Sequence, residues 1–189
     1  MHPPAPPTCV LVTYGSRRGG TAEIAERIAE TLRELGRSAD CLPAAEVTDL
    51  ARYGAVIVGG SLYASRWHRD ARRFVKRHTA ALAQRPVWMF SSGPLDASAV
   101  ERVIPPVRQV ASLIARVRAR SHATFGGRLV REPSGFIAAA MAKKLAGDWR
   151  DWEQVRRWAR EIAIALDTER ESPPISADTA PAASDGPMT

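Results

Sequence analysis

Short apolar runs alternate with longer amphipathic segments along most of the chain. Continuous β-branched runs are typical of parallel strands covered on both faces, whereas apolar residues spaced three or four positions apart are typical of helices packed on a sheet. Strands are predicted at about 8–14, 41–42, 55–60, 87–90 and 122–125. Helices are predicted at about 23–35, 47–53, 69–82, 103–117, 136–145 and 152–166. Because this alternation implies right-handed crossovers, it predicts a doubly wound, three-layer α/β domain with a five-stranded parallel sheet of order 2-1-3-4-5.

The two ends of the chain lack this pattern. Residues 1–7 are rich in proline and residues 168–189 have neither aromatics nor apolar periodicity, so we expect disordered segments on either side of a domain at 8–167. Nothing approaches the roughly 18 apolar residues of a spanning helix, and the first residues do not resemble a secretory signal, so we expect a cytoplasmic protein. Cys9 and Cys41 are expected to be reduced thiols within strands, because their spacing suits neither redox nor zinc pairs.

Charge adds a further constraint. The chain has 27 lysines and arginines against 20 acids, a net charge of +7 that favours anionic partners. Six cations follow the third strand and are called the basic patch: Arg66, Arg69, Arg72, Arg73, Lys76 and Arg77. This patch suits a carboxylated substrate or an anionic membrane, which would place the protein on the inner face of the cell membrane, or it is an ordinary solvated helix face. Nucleic acid is not expected, because no aromatics interleave with these cations.

The loop between the first strand and the first helix has the composition of a phosphate site. It reads Gly15-Ser16-Arg17-Arg18-Gly19-Gly20-Thr21. Its glycines and hydroxyls precede a helix N-terminus, where free N–H groups and the helix dipole favour a phosphate. The loop has no lysine, which argues against a Walker A site for ATP, and its glycine spacing does not match the dinucleotide fingerprint. A glycine turn without a ligand is the alternative.

Two further loops lie at the same predicted edge of the sheet. After the third strand come Ser61, Leu62, Tyr63 and Trp67, and after the fourth come Ser91, Ser92, Gly93 and Pro94. We expect Trp67, or less readily Tyr63, to stack on an aromatic ligand ring, unless it covers the following helix. The small residues of the other loop allow close backbone approach to a ligand, although such residues also form plain turns.

The spacing Ser16-x-x-Gly19-x-Thr21 after an apolar strand resembles the FMN phosphate loop of flavodoxins. Over residues 8–166 the chain resembles the menaquinone-dependent protoporphyrinogen oxidase branch of the flavodoxin-like family, especially at 59–78, 136–147 and 151–163. The resemblance implies a flavodoxin-like fold, FMN as cofactor, a tetrapyrrole substrate such as protoporphyrinogen IX, and a quinone that accepts the electrons. It also implies that the three loops hold the flavin. Arg17 and Arg18 depart from the small hydroxylated residues of that family's loop, and either pair with the phosphate or face solvent.

Other functions are compatible with the same fold. An electron carrier without a substrate of its own, an NAD(P)H:quinone reductase, or a protein-binding module that has lost its flavin would each keep this pattern. The sequence points to no metal site and to no catalytic acid or base. We therefore expect an FMN-dependent oxidoreductase in which the protein supplies placement and electrostatics.

Overall fold

The computed structural model describes residues 9–93, 98–129 and 147–171. Pro94, the helix predicted at 136–145, residues 1–8 and residues 172–189 lie outside these ranges. No helix in the described ranges is long and apolar enough to span a bilayer.

Five long strands form the expected parallel sheet. They are β1 (Cys9–Gly15), β2 (Ala39–Pro43), β3 (Tyr53–Tyr63), β5 (Val87–Ser92) and β6 (Ser121–Phe125). Their order is β2-β1-β3-β5-β6, and every neighbouring pair among them is parallel. Counted without the short strand between them, this is the predicted order 2-1-3-4-5, so the prediction of a doubly wound sheet is confirmed.

Two short antiparallel features were not predicted. The two-residue strand β4 (Arg66–Trp67) folds back on the end of β3. Strands β7 (Arg128–Leu129) and β8 (Gly147–Asp148) pair with each other in a separate two-stranded ladder. This ladder joins the chain on either side of residues 130–146.

The described helices are α1 (Gly20–Glu34), α2 (Arg69–Arg77), α3 (Thr79–Leu82), α4 (Ser98–Glu101), α5 (Arg108–Val117) and α6 (Trp152–Glu171). The predicted helix at 69–82 is therefore two helices with a break at His78. The helix predicted from 103 begins only at Arg108, because Pro105 and Pro106 disfavour helix for the residues before them. Helix α6 continues to Glu171, past the boundary expected at 167.

The helix predicted at 47–53 is wrong. Val47, Leu50 and Tyr53 are buried at a spacing of three, but Val47 and Leu50 lie in a turn-rich connection and Tyr53 is the first residue of β3. Their carbonyls accept hydrogen bonds from arginine side chains instead of helical amides. Arg77 donates to Val47 O at 2.6 Å, and Arg85 donates to Leu50 O at 2.6 Å and to Tyr53 O at 2.9 Å. The apolar spacing of three therefore comes from two buried residues of a loop and the first residue of β3.

The core divides between the two faces of the sheet. On one face, Val12, Ile57 and Phe90 pack with apolar residues of α1 and α6. On the other, Leu11 and Met89 pack with residues of α2 and α5. The central strands are thus covered on both sides, as their nearly continuous apolar sequences require. The carboxyl ends of these strands are left as the place where loops meet.

Candidate functional site

The strand register brings the carboxyl ends of the central strands to one level. Gly15 of β1 pairs with Gly60 of β3, and Gly60 in turn pairs with Ser91 of β5. In open parallel sheets ligands bind at this edge, beside the point where the strand order reverses. The three loops singled out from the sequence all begin here.

The first loop forms the start of α1. Gly19 precedes the helix with φ 81°, a left-handed conformation that suits glycine, and no side chain caps the helix there. Ser16 Oγ accepts a hydrogen bond from Gly19 N at 3.1 Å, which fixes the turn. Thr21 follows in the first turn and is buried. An uncapped helix N-terminus with flanking hydroxyls is a suitable place for an anion.

The three loops surround a cleft of about 270 Å³. The first loop contributes Ser16, Arg18, Gly20 and Thr21, the second contributes Ser61, Leu62, Tyr63 and Ala64, and the third contributes Ser92 and Gly93. The second and third loops are in direct contact, because a Cβ on Gly93 would lie only 2.8 Å from Leu62 Cβ. Most of the residues predicted from the sequence therefore lie around one cavity.

The two aromatic candidates occupy different places. Tyr63 is 43% exposed and lines the cleft, with the Arg17 guanidinium 5.8 Å from the centre of its ring. Trp67 is 1% exposed and lies in the core beneath Gly60, where its Nε1 donates to Ser91 Oγ at 3.0 Å. The structure therefore does not bring Trp67 to the cleft as a ring contact, because the β4 hairpin turns it inward. It is Tyr63 that presents an aromatic face there.

Other predicted residues lie just behind the cleft wall. Ser91 is buried and engaged by Trp67 and by His122 Nε2 at 2.9 Å, so it supports the wall from within. Gly19 shapes the loop through its backbone. His68 caps α2, with Nδ1 accepting from Asp70 N at 3.3 Å.

The cleft contains a buried hydroxyl that lacks a protein partner. Ser61 Oγ is buried and forms no hydrogen bond to any described residue. A buried polar group without a partner is costly, and in native proteins it usually marks a missing ligand or water. The orphan hydroxyl, the uncapped helix and the exposed Tyr63 face together fit a ligand with both a phosphate and an aromatic ring system.

Sequence reasoning missed one wall of the cleft, formed by Gly127 and Arg128 after β6. Arg128 Nη2 lies 2.9 Å from Glu23 Oε1, and Arg150 Nη1 lies 2.8 Å from Glu23 Oε2. Arg150 also contacts Asp148, and its hydrogen bonds lower the pKa of that carboxyl. The sequence could have indicated this wall, because Gly127 and Arg128 follow the fifth long strand, which ends at the same edge of the sheet as the other strands.

Thiol and metal chemistry have no support at this site. Burial, with Glu26 nearby, raises the pKa of the Cys41 thiol to about 12, so the thiol stays protonated at neutral pH. Both cysteines are free and half-buried. Within the described ranges no group of histidine, cysteine and carboxylate side chains is arranged to hold a metal ion.

The basic patch begins beside the cleft. A Cβ on Gly15 would lie 2.8 Å from Ala71 N, so the first turn of α2 adjoins the end of β1. Arg66, Arg69, Arg73 and Lys76 are exposed. Arg72 is half-buried, and Arg77 is held by Val47 O. Arg77 is nevertheless exposed, so five of the six predicted cations form an exposed positive surface.

The fold and cleft define a doubly wound α/β domain whose carboxyl edge is suited to a ligand with a phosphate and an aromatic ring. The family comparison makes this class specific. The model of the flavodoxin domain matches residues 11–149, and the chain belongs to that family. FMN is accordingly its cofactor, and the protein is an FMN-type oxidoreductase.

Similar proteins agree with this assignment. Over 174 residues the chain is 29% identical to protoporphyrinogen IX dehydrogenase [quinone] of Escherichia coli strain K12, covering 83% of this chain and 96% of the relative. An archaeal flavodoxin superposes with a TM-score of 0.58 at 14% identity, covering 84% of this chain and 99% of that one. Rubredoxin oxygen:oxidoreductase of Desulfovibrio gigas has a TM-score of 0.63 at 18% identity over 88% of this chain, which spans only 38% of that larger protein. The two structural likenesses show the fold.

Proposed function

We propose that the protein oxidises protoporphyrinogen IX, or a closely related reduced tetrapyrrole, and passes the electrons to a quinone. The observation that carries the proposal is the similarity to the E. coli dehydrogenase, which extends over 96% of that relative. The cleft supports it, because it combines a phosphate-accepting loop with an exposed aromatic side chain. When bound, FMN would supply the hydride acceptance and the electron release that this oxidation requires.

The residues assigned to the cofactor are those of the three loops. Ser16, Thr21 and the amides that begin α1 would hold the phosphate. Ser61 and Tyr63 would contact the rest of the cofactor, the first through its unpaired hydroxyl and the second through its ring. Trp67 is assigned a supporting role, since its hydrogen bond to Ser91 fixes the wall of the cleft.

The chemistry requires placement more than acid–base catalysis. Each two-electron oxidation removes a hydride and a proton from the tetrapyrrole, and the quinone leaves as the quinol. Among the residues that the structure describes, the titratable side chains that line the cleft are those of Arg18, Arg128 and Tyr63. We therefore propose that the chain's own residues orient the substrate and exclude water from around the flavin ring.

We also propose that the basic patch binds anionic groups. Its exposed arginines and Lys76 suit tetrapyrrole propionates or the anionic surface of the membrane in which a quinone resides. We propose peripheral contact with the inner face of the cell membrane through this surface. The position of α2 supports this role. Its first turn lies against the end of β1, so an anion bound to the basic patch would lie beside the cleft.

The proposal is tested by assaying the FMN-loaded protein anaerobically with protoporphyrinogen IX and a soluble menaquinone analogue. We expect flavin bleaching followed by porphyrin fluorescence, and sustained turnover only when the quinone is present. A protein that holds FMN but forms no porphyrin, yet exchanges electrons rapidly with a flavodoxin reductase, would be an electron carrier. Rapid flavin reduction by NADPH with no effect of the porphyrinogen would identify a quinone reductase.

A further inference from the structure

Arg128 stands directly over the beginning of α1. Its Cβ lies 3.6 Å from the position that a Cβ on Gly20 would occupy, and its side chain lines the cleft. Its Nε is buried and has no hydrogen-bond partner in the described part of the chain. Arg128 thus has an unused guanidinium donor and lies close to the loop at which a phosphate is expected.

Glu23 places a negative charge at the same point. Its Oε1 lies 4.0 Å from where a Cβ on Gly19 would be, beside the phosphate loop. An acid in the first turn stabilises the helix dipole, but it opposes the arrival of a phosphate dianion. Glu23 therefore needs neutralisation if this helix N-terminus is to bind one.

Two arginines contact Glu23, and they differ in freedom. The Arg150 side chain is 2% exposed, pairs with both oxygens of Asp148 and donates to Glu23. The Arg128 side chain is 31% exposed, and its ion pair and hydrogen bond are with Glu23, at 2.9 and 3.3 Å. Arg150 is a fixed counter-charge for Glu23, whereas Arg128 is able to turn toward the cleft without leaving Glu23 unpaired.

We propose that Arg128 is a phosphate-binding residue of this protein, which pairs with the FMN phosphate while Arg150 alone neutralises Glu23. The inference rests on the proposed site for FMN at the Ser16–Thr21 loop. It assigns the cofactor a cationic ligand from the segment after β6, outside the three loops that sequence reasoning identified. The ladder of β7 and β8 then has a function, since it holds Arg128 and Asp148 in register across from each other.

The experiment measures dissociation constants of the apoprotein for FMN and for riboflavin, which lacks the phosphate, by flavin fluorescence. Arg128→Gln should weaken FMN binding about 10- to 100-fold, the range for a charge-assisted hydrogen bond, and leave riboflavin binding unchanged. Its FMN affinity should also depend less on salt than that of the wild type. Arg156→Gln removes an arginine from an exposed ion pair with Glu153 on α6 and serves as the matched control.

The variant Glu23→Gln distinguishes two roles for Arg128: binding the phosphate, or only supporting Glu23. If Arg128 pairs with the phosphate, this variant removes a repulsion and should bind FMN at least as tightly as the wild type. If Arg128 merely supports Glu23, both variants will weaken FMN and riboflavin by similar factors, which overturns the proposal. A wild type that binds riboflavin as tightly as FMN would instead contradict the phosphate site itself. If Arg128→Gln keeps both the FMN affinity and the preference for FMN over riboflavin, Arg128 does not bind the phosphate, although the phosphate site itself is unaffected.

Discussion

The hydroxyls of Ser16 and Thr21 are the side chains on which the phosphate site most depends. Ser16 Oγ already accepts from Gly19 N, so its own proton remains available to donate. The double change Ser16→Ala with Thr21→Val should weaken FMN binding by roughly 1.5 to 3 kcal/mol per lost hydrogen bond to a charged acceptor. Fluorescence titration measures this directly, with Ser112→Ala and Thr48→Val, both at exposed positions, as controls. Equal affinities would mean that the loop serves another purpose.

His122 ties the sheet to the cleft wall and gives the fold a pH dependence. Burial lowers the pKa of its ring from 6.5 to about 4, and Nε2 lies 2.9 Å from Ser91 Oγ. Because the unfolded chain binds the proton more readily, the neutral ring's contribution is fully present above pH 6.5 and is lost as pH falls toward 4. That contribution is on the order of 2 to 3 kcal/mol.

The variant His122→Asn should flatten this part of the stability profile. Urea denaturation at several pH values between 4 and 7 makes the comparison, and His68 and His78, whose pKa values burial also lowers, remain in both proteins. If the wild type and the variant lose stability in parallel over this interval, His122 is not buried in its neutral form.

Individual residues show how closely the sequence located the cleft that the structure describes. The glycines and hydroxyls of the first loop were recognisable because a helix N-terminus that binds an anion needs those residue types. Tyr63 and Trp67 were harder to separate, since both are aromatic and only the β4 hairpin decides which one turns inward. Arg128 was not found, because only the folded chain brings it beside Glu23 and the start of α1, 105 positions earlier in the sequence.

Among the elements, the long strands were the most predictable. Their apolar runs need burial on both faces, which a parallel sheet between helices provides. Errors arose where apolar spacing had another cause, as at 47–53, where arginine side chains occupy the carbonyls. The β7 and β8 ladder could not be foreseen, because two-residue strands leave no periodic pattern.

Helix α6 offers a test of the packing on one face of the sheet. Ile162 is 1% exposed in the core, whereas Ile164 on the same helix is 66% exposed. Ile162→Ala should lower the free energy of unfolding by about 2 to 5 kcal/mol, through lost burial and the cavity left behind. Ile164→Ala should change it by less than about 0.5 kcal/mol. Similar losses in chemical denaturation would show that α6 does not pack as described.

At the scale of the whole molecule, exposed positive charge is concentrated on α2, and this helix lies beside the cleft. Reversing Arg69, Arg73 and Lys76 to Glu should slow quinone-linked oxidation of the porphyrinogen while FMN stays bound, because the phosphate loop is separate from these side chains. The defect should shrink as salt rises, since charges are screened within about 8 Å at physiological ionic strength. Arg116, Arg118 and Arg157, exposed elsewhere on the domain, supply a triple reversal of equal charge as control. Equal rates for the two triple variants would remove the basic patch from the account.

The cleft forms because the parallel strands end at one edge of the sheet, where loops that are distant in sequence meet. Fold and cofactor class were predictable because both depend on the periodic pattern and on a single local loop. Substrate identity was not, because it depends on how the surfaces around the cleft combine.

Whether this cleft binds FMN is decided by identifying the flavin that the protein holds. The purified protein, reconstituted if necessary with a mixture of FMN and FAD, is denatured, and the released flavin is identified and quantified by chromatography. We predict FMN at close to one equivalent per chain, with the yield reduced by Ser16→Ala and Thr21→Val together. Release of FAD, or a folded protein that retains no flavin after reconstitution, would contradict the account.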